Sequence, residues 1–209
     1  MIGKGKSISH GVAALEYDLA KEINGQAVAT EIARHELYGC TGAEMVQEMK
    51  PYHIDFPNVK NNCLRFEVSP SIEESATFTD ADWAELGNDF MQRMGLANHQ
   101  YIIIRHSGTE SKKEQAHLHI LANRVSLSGE LYRDNWIGKK ATEAANAIAK
   151  ERNFVQSQDI GKVNKAEIKE AMDGVLKKMQ GFDFTKFKEE LGKLSLIHIS
   201  EPTRRSYIS

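Results

Sequence analysis

The sequence predicts an α+β domain, a central antiparallel β-sheet covered by helices, and three observations lead there. Residues 101–105, Tyr-Ile-Ile-Ile-Arg, form an almost uninterrupted apolar run, as expected of a strand buried on both faces of a sheet. Residues 117–122, His-Leu-His-Ile-Leu-Ala, return after a polar, glycine-containing excursion from Ser107 to Gln115, so the two runs should lie side by side and antiparallel. Trp83, Leu86, Phe90 and Met94 make one apolar stripe at helical spacing, and helical patterns dominate from Lys139 onward.

Each element follows from local chemistry. Leu15, Leu19 and Ile23 recur at helical spacing after Gly11, which predicts a first helix that carries Tyr17 and stops at Asn24 and Gly25. A second amphipathic stretch, residues 41–50, ends before Pro51, because the residue preceding a proline is pushed out of the helical region. Residues 62–69 alternate loosely and read as a strand closed by Pro70. Thr79 caps the helix that bears the Trp83 stripe and Gly95 ends it; this helix reads as core packing. No internal repeat or low-complexity segment interrupts the series.

Composition narrows the function classes. The chain has 209 residues, enough to bury a core, and a formal charge of −2, so global charge lends no support to a nucleic-acid partner. Lys4 and Lys6, and then Lys139, Lys140, Lys150 and Arg152, are local basic clusters of the kind that form solvated faces. No stretch approaches the ~20 apolar residues of a membrane helix, and the opening Met-Ile-Gly-Lys-Gly-Lys lacks the apolar core of a signal peptide, so no membrane insertion and a cytoplasmic site are expected. Cys40 and Cys63 lie far apart without metal-ligand or redox spacing. Residues 194–204, Leu-Ser-Leu-Ile-His-Ile-Ser-Glu-Pro-Thr-Arg, resemble a translated sequencing adapter, with index bases supplying 205–209. The expectation is a catalytic domain over 1–160, a helical segment over 161–193 that opens a truncated C-terminal region, and an artefactual tail over 194–209 that packs against nothing substantial.

The chemistry centres on histidines. Alternation along a strand puts His117 and His119 on one side, and the hairpin brings His106, at the end of the neighbouring strand, beside them. Three imidazoles without cysteine suit a divalent transition ion and leave positions open for water or substrate oxygens, although a structural site or hydrogen-bonded core histidines would show the same pattern.

Residues 100–106 and 116–125 resemble the third motif of plasmid and transposon mobilisation relaxases, within the His-hydrophobic-His nuclease superfamily. Residues 66–70 with Glu73 and Glu74 resemble the second motif, and residues 128–132 with Asn135 resemble the segment that follows the third. Residues 11–21 resemble the first, in which a tyrosine sits on an early helix; together the resemblance spans residues 1–160.

It implies a relaxase-type fold, with His106, His117 and His119 as ligands of a divalent ion, Mg or Mn in the cell or Zn or another transition ion, and Tyr17 as nucleophile. His10 is the competing nucleophile, since some relatives use histidine; Tyr38, Tyr52 and Tyr101 lie outside the early motif. The gap between His106 and the pair is longer than is usual in the family, and Glu110 or Glu114 is the candidate there to replace an acidic residue that orients a histidine. The implied partners are single-stranded DNA at a transfer origin, gripped by Ser69, Asn123 and Arg124, with accessory mobilisation proteins and a coupling or secretion apparatus. Two rivals stay open: a rolling-circle replication initiator, whose nucleophile would follow the histidines, as Tyr132 does, and a DNA-binding accessory protein with a structural metal.

Overall fold

The computed structural model describes residues 1–108, 115–179 and 181–193. The chain forms two compact units, residues 1–157 and a second beginning at Gln158.

In the first unit, seven strands run in chain order: β1 (Ile2–Ile8), β2 (Glu22–Ile23), β3 (Gln26–Ala27), β4 (Ala29–His35), β5 (Cys63–Ser69), β6 (His99–His106) and β7 (His117–Ser126). Helices α1 (Gly11–Leu19), α2 (Gly42–Met49), α3 (Ile72–Ser75), α4 (Asp80–Arg93) and α5 (Ile137–Glu151) connect them. Five strands form one antiparallel sheet in the order β1-β5-β7-β6-β4, so the α+β architecture expected from patterning is the one observed. The second unit contains α6 (Ser157–Lys178), which begins at the last residue of the first, and α7 (Phe184–Lys193).

Strand alternation divides the core into two layers. Leu64, Phe66, Val68, Tyr101, Ile103, Leu118, Ile120 and Ala122 pack with α4 and α5 residues such as Trp83, Phe90, Ala141 and Ile148. On the opposite face Cys63, Ile102, Ile104 and Leu121 pack with Leu15 of α1 and Met45 and Met49 of α2. Helices α2, α3 and α4 each start with a capping box, Thr41 with Glu44, Ser71 with Glu74 and Thr79 with Asp82, which ties two otherwise unsatisfied backbone N–H groups at each start. Gly11 lets α1 lie close to β5, since a Cβ there would meet Cys63 Sγ at 2.6 Å.

Three local outcomes differ from patterning. The first helix stops at Leu19, and Ile23 belongs to β2. Asn24 and Gly25, both with positive φ (54° and 74°), form the tight turn between β2 and β3, so the dipeptide acts as a hairpin signal and not as a helix stop. Strands β1 and β4, the two edges of the sheet, go unforeseen. In β1 the inward positions are Gly3 and Gly5, packed so tightly under α5 that a Cβ at Gly3 would lie 2.5 Å from the Ala141 carbonyl oxygen. An inward face made of glycine carries no hydrophobic signal, so the alternation that marks a strand is invisible.

Candidate metal centre and nucleophile

The α1–α2 side of the sheet ends in a cluster of imidazoles. His106, the last residue of β6, pairs directly with His117, the first of β7, while His119 stands opposite Ile104 on one side and Glu67 of β5 on the other. Directly paired residues in an antiparallel sheet project to the same face, so the strand register alone gathers the three rings. Their centroids lie 5.4, 4.4 and 4.9 Å apart, and one nitrogen from each falls within 4.8 Å of the others.

Hydrogen bonds to acceptor-only groups fix which nitrogens are available. His106 Nε2 donates to the backbone carbonyl of Asp18 at 2.7 Å, which leaves Nδ1 with a free lone pair. His117 Nδ1 donates to the Gln115 carbonyl at 3.2 Å, leaving Nε2, and this atom lies 3.1 Å from His119 Nε2. Two ligands bound at ~2.1 Å to one tetrahedral ion sit ~3.4 Å apart, so this pair already has the spacing of neighbouring ligands. Arg65 Nη2 donates to His119 Nδ1 at 3.3 Å, which puts the His119 proton on Nε2, shared with His117. An ion held by His119 Nε2 would require that proton on Nδ1, and the Asp18 carboxylate, 3.8 Å away, would have to close in to accept it in place of the Arg65 contact.

Asp18 and Arg65 are the two residues that patterning misses. Asp18 projects from α1 into the core, 1% exposed, and Arg65 of β5 grips its carboxylate with Nε at 3.0 Å and Nη2 at 2.5 Å. Burial pushes the Asp18 carboxyl above its usual range, and Arg65 offsets part of that rise. Burial also holds His106 below the ordinary imidazole range, and it drives His119 down to about 2, helped by the neighbouring His106 and Arg65. Both rings are therefore neutral at pH 7, the form that a metal requires. One signal was available in the sequence: a charged residue on the inward face of α1, three after Leu15, needs a partner.

Tyr17 precedes Asp18 and points outward, 56% exposed, where its hydroxyl accepts a 2.6 Å hydrogen bond from Lys21 Nζ. The residue next to Tyr17 thus touches two of the three histidines, while Tyr17 itself stays accessible. His10 stands at the N-cap position of α1 without a side-chain capping bond and is exposed. Tyr132 lies half-buried near the other end of β7, edge-on to His99.

The three expected DNA contacts separate. Ser69 belongs to the histidine end: it follows Val68, which pairs with Leu118, and its hydroxyl accepts from Gln115 Nε2 at 3.1 Å. Asn123 is fully buried near the far end of β7, and its amide binds His53 Nε2, Val125 N–H, Gln100 Oε1 and the Met49 carbonyl, which leaves no polar atom for a strand of DNA. Arg124 is spent on Asp134 and on the Asn61 and Tyr132 carbonyls. Glu110 and Glu114 lie outside the described residues, as do residues 194–209.

A family described as relaxase, MobA/VirD2-like, nuclease domain, matches residues 17–154, from the candidate nucleophile through α5. The chain belongs to this relaxase family. No curated protein matches it. Two solved structures are similar to this relaxase: the conjugative relaxase TrwC in complex with oriT DNA, metal-free, with a TM-score of 0.45 and 9% identity over 90% of this chain and 89% of that one; and the metal-bound TrwC–oriT complex, with 0.44 and 10% over 99% and 93%. In this relaxase the motif residue Glu74 is structural: its carboxylate caps α3 and accepts from the Val155 N–H at 2.6 Å.

Proposed function

We propose that this relaxase nicks one strand of DNA at a transfer origin through attack by Tyr17, serving conjugative mobilisation of a plasmid or integrative element. The observation that carries the reading is the meeting of three imidazoles on the sheet face beside the helix that bears Tyr17. In the reaction a bond forms between the Tyr17 oxygen and phosphorus while the bond from phosphorus to the 3′-oxygen breaks. The phenol proton passes to water and the departing 3′-oxygen takes one up, which gives a 5′-phosphotyrosyl link and a free 3′-hydroxyl. Rejoining is the reverse.

Each residue has a part. The Lys21 ammonium, already on the Tyr17 oxygen, offsets negative charge as the proton leaves. His106, His117 and His119 would hold a divalent ion, Mg or Mn in the cell, although imidazole donors also suit Zn and other transition ions. When bound, such an ion supplies Lewis-acid stabilisation to the non-bridging phosphate oxygens. Asp18 and Arg65 hold His106 and His119 in position. Ser69 is the one expected DNA contact that stands at this end of the sheet; Glu110 stays a candidate for orienting a histidine. The substrate is single-stranded or extruded DNA, and accessory mobilisation proteins with a coupling or secretion apparatus would act in the cytoplasm alongside a catalytic domain of residues 1–160.

The decisive experiment is denaturing electrophoresis after incubation with a single-stranded origin oligonucleotide and a divalent ion. A covalent protein–DNA adduct is expected, lost in Tyr17→Phe and kept in His10→Ala. The converse pattern would move the nucleophile to His10, and no adduct with any divalent ion would favour the non-catalytic accessory protein.

A further inference from the structure

We propose that Trp136 is a stacking platform for a base of single-stranded DNA leaving the histidine centre; the idea rests on this relaxase acting on single-stranded DNA. Trp136 is 81% exposed, more than any other large apolar side chain among the described residues. Its backbone is left-handed, φ 59° and ψ 28°, a region that bulky residues avoid. Trp136 also stands at the N-cap of α5 without a side-chain hydrogen bond, a position where Ser, Thr, Asn, Asp or Gly serves better. Backbone strain, a poor cap and a solvated indole all oppose stability, and at 81% exposure the indole gains little packing from the described residues. Strain of this kind, once observed, is a pointer to function.

The surroundings indicate the occupant. The first turn of α5 lies against β1, with a Cβ at Gly138 only 3.5 Å from the Gly5 carbonyl oxygen, so the helix start that carries Trp136 lies along the outer edge strand. Lys4 pairs with Glu67, which stands opposite His119, and Lys6 pairs with Arg65, so both lysines share the face of the histidines. Crossing from β7 to β1 takes two strand spacings, about 10 Å. A strand bound at the centre can run over Lys6, past Lys4 and its 3.0 Å ion pair with Glu67, to this edge. Arg133 is exposed and has no carboxylate partner among the described residues, and Lys139 is exposed with Glu143 no nearer than 3.8 Å. An exposed indole with exposed cations three residues before and three after it in the chain fits a polyanion with aromatic bases, because phosphates meet the charges and a base meets the ring.

Fluorescence tests this directly, since the chain has two tryptophans and the other, Trp83, is 2% exposed in the core. Oligodeoxythymidylate should quench the Trp136 emission, and a duplex of equal length should not. Trp136→Gly should weaken oligothymidylate binding about tenfold by anisotropy, with a melting temperature equal to or above wild type, because glycine relieves the left-handed strain. Trp136→Tyr should recover most of the affinity. Wild-type binding in Trp136→Gly, or a clear fall in its melting temperature, would overturn the platform, as would light scattering that shows a dimer dissociating on this substitution. If the platform fails while the Tyr17 adduct still forms, the catalytic reading stands.

Discussion

Asp18 connects the candidate nucleophile to the candidate metal centre, with its carbonyl on His106 and its carboxylate between Arg65 and His119. Asp18→Asn keeps the shape and removes the charge, so Arg65 faces a neutral amide, and an ion-bound His119 loses the charged acceptor for its Nδ1 proton. Arg65 loses its counter-charge, but burial already disfavours the charged Asp18 carboxylate, so the two effects oppose and a change within about 1 kcal/mol in urea unfolding is expected. Mn affinity measured by calorimetry should drop roughly 10–100-fold, as when other groups that orient metal ligands are removed. Unchanged affinity would show that Asp18 merely anchors α1.

Among the elements, β1 and α5 depend most on close approach. A Cβ at Gly3 would meet the Ala141 carbonyl oxygen at 2.5 Å and the Ala145 Cβ at 2.6 Å, both firmly held, so α5 would have to move outward. Gly3→Ala should therefore destabilise the first unit by ~1–3 kcal/mol, the usual cost of overpacking, seen as a lower urea midpoint at constant slope. A midpoint equal to wild type would mean that α5 slides freely over the strand. The same packing explains why this edge escapes patterning: glycines face inward and lysines outward, so neither side of β1 shows apolar periodicity. The β2–β3 turn escapes for the opposite reason, since Leu15, Leu19 and Ile23 keep helical spacing across a helix end that Asn24 and Gly25 convert into a hairpin.

For the whole molecule, acid should unfold the metal-free protein early. Burial holds His99, His106 and His119 below the ordinary value of 6.5. These rings stay neutral in the folded chain while the unfolded chain takes up protons below about pH 6.5, so stability falls as pH drops through that value. Asp18 works in the opposite sense: its raised pKa favours the folded state near and below 3.8, a contribution lost as pH rises. With three histidines against one carboxylate, urea unfolding in chelator should weaken steadily from pH 7 to 5, by at most about 1.4 kcal/mol per pH unit for each group. A flat profile would show that the histidines take up protons while the protein stays folded.

Much of this was legible in the chain. The apolar runs at 101–105 and 117–122, the Thr79 cap and the spacing of His117 and His119 specify two central strands, a covering helix and two imidazoles on one face, because strand and helix periods are local properties of the backbone. Long-range pairing lies beyond such reasoning. Asn123 and Arg124 look as available to DNA as Ser69 does when judged by type and position, yet four internal hydrogen bonds claim the amide of one and Asp134 with two backbone carbonyls claims the guanidinium of the other. Asp18 likewise reads as an ordinary helix acid until α1 folds onto β5 and sets it between Arg65 and the histidines. Which polar groups remain free for chemistry is decided when distant segments meet, since burial leaves each donor and acceptor to be satisfied by whatever the fold brings to it.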